Sequence, residues 1–566
     1  MGDTVKKKIS IGVEDFKEII EKDGYFVDKT LMIKKLIENQ AKVTLFTRPR
    51  RFGKTLNQFM IRRFFEDEIT EKGEKVDNGY LFDGLKIAEC GEEILKHQQQ
   101  YPVIFLTLKS AKQPTYEMAY ACLVDEICKE FERHSYVLAG EMPKRNRERF
   151  ERIQLGKGSR DEYAKALGFL SECLFKYHGK SAFILIDEYD VPLENAYFEG
   201  FYDKMIQFIR SLFESALKTN PYLEKSVITG CLRISKESIF TGLNNLKVDS
   251  VLRTEYGDSF GFTESEVEAM LAYYNLQEEL TEVKEWYDGY LFNDIEIYNP
   301  WSIINYVYDR DRKITKFALP YWSNSSSNSI IREMVGEADA DAKRDLETLI
   351  NGGTIEKQVH EDITYGDIHQ SQDNLWNFLF FTGYLKKAGE QKEGNHLKLE
   401  MKIPNIEIAT IYENSISYWF EQRIKETDRS PLVRALETGD CEAAEDFINR
   451  QLADTISYYD YAENFYHGFM AGLLVNIGGY SVKSNRESGN GRPDIVMTEL
   501  KFRGRAMILE LKISDTIQGM EKKCEEALTQ MKEQKYESSL EDDGYQPILK
   551  YAICFFKKGC MVKKAE

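Results

Sequence analysis

The chain has 566 residues, 42% hydrophobic and 13% aromatic, which is too long for one core and apolar enough for several. Its 94 acidic and 76 basic residues leave a formal charge of −18, which excludes a coat for nucleic acid but not an acidic enzyme with a local basic channel. Nine dispersed cysteines without a Cys-x-x-Cys pair, and no signal-peptide core at the N-terminus, point to a reducing cytoplasm without structural zinc or disulfides. The best apolar run, from Leu375 to Leu385, is interrupted by Asn377 and too short for a membrane span, so no membrane partner is expected.

From the N-terminus, the first strong element is Val43-Thr44-Leu45-Phe46-Thr47, a buried-strand pattern. It runs into Arg48-Pro49-Arg50-Arg51-Phe52-Gly53-Lys54-Thr55 and then a helix from Leu56 to about Phe65. Strand, Gly-Lys-Thr turn and helix make a phosphate cradle, with Gly53 and the helix N-terminus facing the β-phosphate. Lys54 is placed for the β/γ oxygens of ATP and the Thr55 hydroxyl for Mg²⁺. The pattern expects Gly at position 48, and Arg cannot relieve backbone crowding in the same way. Arg50 and Arg51 either reach phosphates or brace this altered loop.

Further strands are predicted at Val103–Leu108, Ala182–Asp187 and Ser226–Thr229, alternating with helices, which implies a parallel sheet covered on both faces. The second of these ends in Asp187-Glu188, where Asp187 would hold Mg²⁺ through water and Glu188 would polarise the attacking water. Thr229 ends the last strand at the position of a γ-phosphate sensor. Arg233, four residues on, suits either a γ-phosphate contact or pairing with helix-end carbonyls.

Helical periods take over at Glu264, with Thr263 as N-cap. The aromatics of Trp286-Tyr287-Asp288-Gly289-Tyr290 and Tyr298-Asn299-Pro300-Trp301-Ser302 read as core packing and a Pro-marked turn. A mostly helical middle region is expected to about Asp440, with a small winged-helix-like piece around Gln372–Lys402. The working division is 1–262, 263–440 and 441–566.

Near the C-terminus, Gly491-Arg492-Pro493-Asp494-Ile495-Val496-Met497 leads into Ile508-Leu509-Glu510-Leu511-Lys512. Both apolar runs read as strands, joined by the polar turn through Lys501–Arg505. Residues two apart share a strand face, so Glu510 and Lys512 point one way while Leu509 and Leu511 pack behind. Asp494, at the mouth of the neighbouring strand, completes a hard-oxygen set suited to Mg²⁺ or Mn²⁺. Lys512 is placed to hold a water or to neutralise charge developing on phosphorus. Upstream, Glu463 and His467 share one face of an apolar helix; downstream, Gln530 interrupts the apolar stripe of another. Basic stretches at Lys144–Arg149 and Lys483–Arg492 are candidate channel walls, and the second flanks the carboxylates.

The order helix-Glu, strand-Asp, strand-Glu-x-Lys, helix-Gln resembles the PD-(D/E)XK nuclease superfamily. That resemblance implies metal ligation by Asp494 and Glu510, with Glu463 as an accessory carboxylate, catalysis by Lys512 and support from Gln530. The N-terminal stretches Tyr25–Thr30, Thr47–Thr55, Leu185–Asp190 and Arg233–Leu246 resemble the AAA-ATPase-like family of bacterial and archaeal proteins. In that family Arg at position 48 is the usual residue, and the PD-(D/E)XK domain is a common C-terminal partner. The implied fold is α/β: a P-loop NTPase parallel-sheet domain, a mostly helical middle region and a C-terminal α/β nuclease-like domain. The implied function is an ATP-binding regulatory module joined to a metal-dependent nuclease acting on DNA more than RNA, with a homo-oligomer in scope. The rival is a signalling or scaffold NTPase whose nuclease-like domain binds nucleic acid without cutting.

Overall fold

Runs of β-branched and aromatic residues bounded by turn signals become the strands of the N-terminal sheet. The structure is a computed structural model that describes residues 6–565 apart from 234–238, 241–244, 254, 324–330, 332–338, 361–370, 395, 455–462, 476, 485–492 and 502, and apart from the side chains of some further helix and strand residues, 463–465 and 484 among them. The chain forms two compact units, 1–326 with 354–410 and 327–353 with 411–566.

In the first unit, β1 (Val43–Thr47), β2 (Val103–Thr107), β3 (Ala182–Asp187), β4 (Leu223–Gly230) and β5 (Leu246–Asp249) form one sheet in the order β2-β3-β4-β1-β5. Every neighbouring pair is parallel. All residues of β1 and β3 are buried, as a sheet covered on both faces requires. The register sets Thr47 against Gly230 and Phe46 against Asp249, so the phosphate loop leaves the sheet between the ends of β4 and β5. The fifth strand is an addition to the four expected from sequence.

Helices dominate the stretch that follows, beginning with Glu264–Tyr273, where Thr263 and Glu266 form a capping box. Two small sheets interrupt them. β6 (Phe262–Thr263), β7 (Tyr290–Phe292) and β8 (Ile295–Tyr298) pair antiparallel. β7 and β8 flank the two-residue turn Asn293-Asp294, in which Asn293 takes φ 54°, a conformation asparagine tolerates. β9 (Ile355–Val359), β10 (Lys386–Glu393) and β11 (His396–Lys402) make the second sheet, with the helix Gln372–Thr382 before its hairpin. Asn377 is fully buried there. Its amide donates to the Gln358 carbonyl and accepts from the His360 N–H at 2.7 and 3.0 Å, so the residue that breaks the apolar run satisfies the end of β9.

In the second unit, β12 (Tyr480–Ser484), β13 (Ile495–Glu499), β14 (Ala506–Ile513), β15 (Ile548–Phe556) and β16 (Gly559–Lys564) form a mixed sheet in sequence order. Only β14 and β15 run parallel. Alternation along β14 divides two cores. Met507, Leu509 and Leu511 pack with Tyr466, Phe469, Met470 and Leu473 of the helix Glu463–Leu474. Ala506 and Ile508 pack with Met520, Cys524, Ala527 and Met531 of the helix Met520–Glu533. Glu510 and Lys512 extend the second face.

Candidate nucleotide and nuclease sites

β1 delivers the chain to a loop that must turn sharply into the helix Lys54–Phe65. Gly53 takes φ 80° at the N-cap, a conformation that suits glycine, and Arg51 takes φ 69°. Lys54 is buried, and its ammonium donates to the carbonyls of Arg48 and Pro49 at 3.0 and 2.8 Å. Thr55 Oγ1 donates to Asp187 Oδ2 at 2.7 Å, and Thr229 Oγ1 donates to Asp187 Oδ1 at 2.5 Å. Two hydroxyls distant in sequence therefore meet on the Asp187 carboxylate. Burial raises the Asp187 pKa, and the two hydroxyls only partly offset this. Glu188 is held at φ 53°, a left-handed conformation costly for a residue with a Cβ. Its pKa is raised by burial and then by the neighbouring Asp187 charge.

Arg50 and Arg51 both reach partners outside the loop. Arg50 Nη2 bonds both Glu194 oxygens at 2.5 and 2.6 Å, and the Arg51 guanidinium lies 4.4 Å from the Trp301 ring centroid. Trp301, read from sequence as core, is only partly buried and is a platform for the loop. Gln58, one turn beyond Lys54, is wholly buried and donates to the carbonyls of Ile186 and Val227 at 3.3 and 3.2 Å. Asp190 Oδ2 accepts from the N–H groups of Cys231 and Leu232 at 2.7 and 3.1 Å, fixing the turn after β4. Sequence reasoning missed Gln58, Asp190 and Glu194. A polar residue on the buried side of a helix was the available signal for the first. Arg233 follows that turn, while most of the motif after it lies outside the described residues.

In the second unit, period-two alternation brings Glu510 and Lys512 together: Lys512 Nζ donates to Glu510 Oε1 at 3.0 Å. Gln530 Nε2 donates to the same oxygen at 2.7 Å and lies 3.0 Å from the Tyr536 hydroxyl. Asp494 precedes β13, and its Oδ2 accepts from the Leu511 N–H at 2.7 Å, pinning it beside Glu510. His467 Nε2 lies 3.2 Å from the Asp494 carbonyl, so the ring supports the backbone there. Glu510 is 2% exposed, and its pKa is raised by burial and by the Asp494 charge, against a lowering effect of Lys512. Glu463 opens its helix, but its side chain is outside the described residues, as are most of Lys483–Arg492.

A family model described as "Predicted AAA-ATPase" matches residues 10–240, and a PD-(D/E)XK nuclease superfamily model matches residues 461–565. The chain carries an AAA-ATPase-like domain and a PD-(D/E)XK nuclease superfamily domain. A relative from Azotobacter chroococcum mcd 1, described as "Uncharacterized protein in vnfD 5'region", is 24% identical over 554 residues, covering 94% of this chain and 93% of its own.

Among the described residues, no group of three or more His, Cys, Asp and Glu side chains is placed to hold a metal, and no helix is long and apolar enough to cross a membrane. The nuclease superfamily domain does present the pair Asp494 and Glu510. The Glu510 Oε2 atom is buried without a hydrogen-bond partner, a costly state for a carboxylate oxygen that a hard cation would relieve. In the AAA-ATPase-like domain, the contact of Thr55 with Asp187 offers a hydroxyl and a carboxylate of the chemistry Mg²⁺ takes. Both donor sets fit the ion expected from sequence.

Proposed function

We propose that the chain binds and hydrolyses ATP with Mg²⁺ at the loop ending in Lys54 and Thr55, and cuts DNA or RNA with Mg²⁺ or Mn²⁺ at Asp494, Glu510 and Lys512. The supporting observation is the meeting of Lys512, Gln530 and Asp494 around Glu510, whose second oxygen is buried and unbonded. Asp494 and Glu510, with Glu463 as a further ligand, would hold a divalent ion, which would supply activation of water and charge neutralisation at phosphate. Lys512 offsets the negative charge that grows on the scissile phosphate. Gln530 holds Glu510 Oε1, so its carboxylate presents the other oxygen.

In the AAA-ATPase-like domain, the Lys54 ammonium exchanges its carbonyl partners for β/γ oxygens. Asp187 and Thr55 would hold the Mg²⁺ ion, and Thr229, bonded to Asp187, would sense the γ-phosphate. Glu188, next to Asp187 at the end of β3, is the residue placed to accept a proton from the attacking water. The division at 1–262, 263–440 and 441–566 assigns these chemistries to the first and third segments. We place the protein in the cytoplasm, with nucleic acid, DNA before RNA, as its partner and a homo-oligomer as a possible state.

Purified full-length protein should nick plasmid DNA or cut single-stranded RNA with Mg²⁺ or Mn²⁺ in at least one nucleotide state. No cleavage of either polymer in any state would leave the non-cutting scaffold reading standing. In parallel, Lys54→Ala should abolish ATP binding, while Glu188→Gln should keep binding and lose hydrolysis. Unchanged affinity in folded Lys54→Ala protein would remove the nucleotide assignment.

A further inference from the structure

Arg48 stands where a phosphate loop ordinarily opens with glycine, yet its side chain does not enter the loop. It is completely buried and turned to β5 and the chain beyond it. Nη1 donates to the Asp249 carbonyl at 2.8 Å and to the Thr47 carbonyl at 2.9 Å. Nη2 donates to Asp249 Oδ1 at 2.5 Å and reaches the Tyr256 carbonyl at 3.4 Å. The guanidinium also lies 5.0 and 5.2 Å from the ring centroids of Phe260 and Phe292. Asp249 is itself 1% exposed and ends β5, opposite Phe46 in the register.

The backbone of the same residue faces the site. The Arg48 N–H continues the β1–β4 ladder by donating to Gly230, and its carbonyl accepts the Lys54 ammonium at 3.0 Å. One residue therefore joins the end of β5 to the group meant for phosphate. Glycine obtains a loop path by freedom; here a fixed path is obtained by a buried ion pair. Such a pair is a weak source of net stability, because desolvating both charges offsets most of their attraction, but here the hydrogen bonds from one guanidinium to Thr47, Asp249 and Tyr256 tie its position to three points of the chain.

We propose that Arg48 and Asp249 are positioning residues for nucleotide binding, setting the loop path that holds Lys54 in register with the β/γ-phosphates. The inference rests on the ATP-binding reading above. Neither residue touches nucleotide; both act through the Arg48 backbone.

The test uses full-length Asp249→Asn, which is nearly isosteric, and Arg48→Lys, which keeps the charge but loses the planar fork. Each is titrated with a fluorescent ATP analogue well below its own melting temperature. We expect about tenfold or greater loss of affinity in both, equivalent to about 1.4 kcal/mol, with Asp249→Glu recovering most of it. Hydrolysis at saturating ATP should fall less than affinity, since Glu188 and Asp187 are untouched. A lowered melting temperature with unchanged affinity would overturn the proposal and leave a purely structural pair. Hydrogen exchange on the wild-type chain provides a readout that needs no variant to fold: ATP should slow exchange at residues 246–250. Unchanged exchange there, in protein that binds ATP, also overturns the proposal. Absence of ATP binding by the wild type would instead defeat the reading on which it rests.

Discussion

Glu407 illustrates how one buried carboxyl gives a measurable pH dependence. It is fully buried, accepting from the Trp322 N–H and the Ser302 hydroxyl, each at 2.8 Å. Burial pushes its pKa from 4.5 up to about 7, and these hydrogen bonds do not reverse the shift. Below pH 4.5 the folded and unfolded chains both carry this proton. Between 4.5 and about 7 only the folded chain does, so stability falls as pH rises through that window, by about 1.4 kcal/mol per unit at most. Above about 7 both states are ionised and the dependence ends. Urea unfolding of the wild type and Glu407→Gln at pH 5 and pH 7.5 should show the wild type losing more stability across the interval, because glutamine cannot titrate. Equal losses would show that Glu407 is not the responsible group. Arg48 and Asp249 carry the opposite lesson: charged and buried, they matter by placing a neighbour rather than by titrating.

The edge strand β2 is governed by a helix rather than by another strand. Glu130, near the end of the helix Tyr116–Arg133, accepts from the Phe105 N–H at 2.7 Å and so occupies a ladder donor of the strand at the sheet's edge. Arg133 bonds Glu130 and Glu66 together, and Arg62 bonds Glu66 from the phosphate-loop helix at 2.7 Å. Burial alone would raise the Glu66 pKa, but the Arg133 and Arg62 charges hold it near 2. Arg133→Met leaves the buried Glu130 without its guanidinium partner and Glu66 with Arg62 alone, and should cost about 3–5 kcal/mol in denaturant unfolding. A loss under about 1 kcal/mol would mean that the network relaxes without it. Such elements were unevenly legible in the sequence. β1 and β3 were found because their apolar runs end in turn signals, and Glu510 with Lys512 because a strand's period is two. β5 was missed because Leu246-Lys247-Val248-Asp249 is short and half polar. The Asn293-Asp294 hairpin carried a usable turn signal that the dense aromatics around it obscured. Arg48 was noticed as an anomaly, but its partner lies 201 residues away, and no local spacing encodes that meeting.

At the scale of the whole molecule, the two candidate chemistries are built from separate side-chain sets on separate sheets. Lys54, Thr55, Asp187, Glu188 and Thr229 gather at the ends of β1, β3 and β4; Asp494, Glu510, Lys512 and Gln530 gather around β14. The two sets have no residue in common. Changes at one site should therefore remove one activity and spare the chemistry of the other. Asp494→Ala or Glu510→Ala takes away a hard oxygen ligand, so cleavage should vanish while ATP turnover continues at the wild-type rate without nucleic acid. Lys512→Ala leaves both carboxylates but removes charge near the reacting phosphate, which should slow cleavage by about 10²-fold or more. Calcium should substitute poorly for magnesium, because its larger and more flexible coordination shell holds water and phosphate less strictly. Parallel measurement of phosphate release and plasmid nicking on these three variants is the decisive comparison. Cleavage that survives Asp494→Ala would place the activity elsewhere or in a contaminant. ATP turnover that falls with cleavage in all three would show that the separation of side chains is not a separation of function.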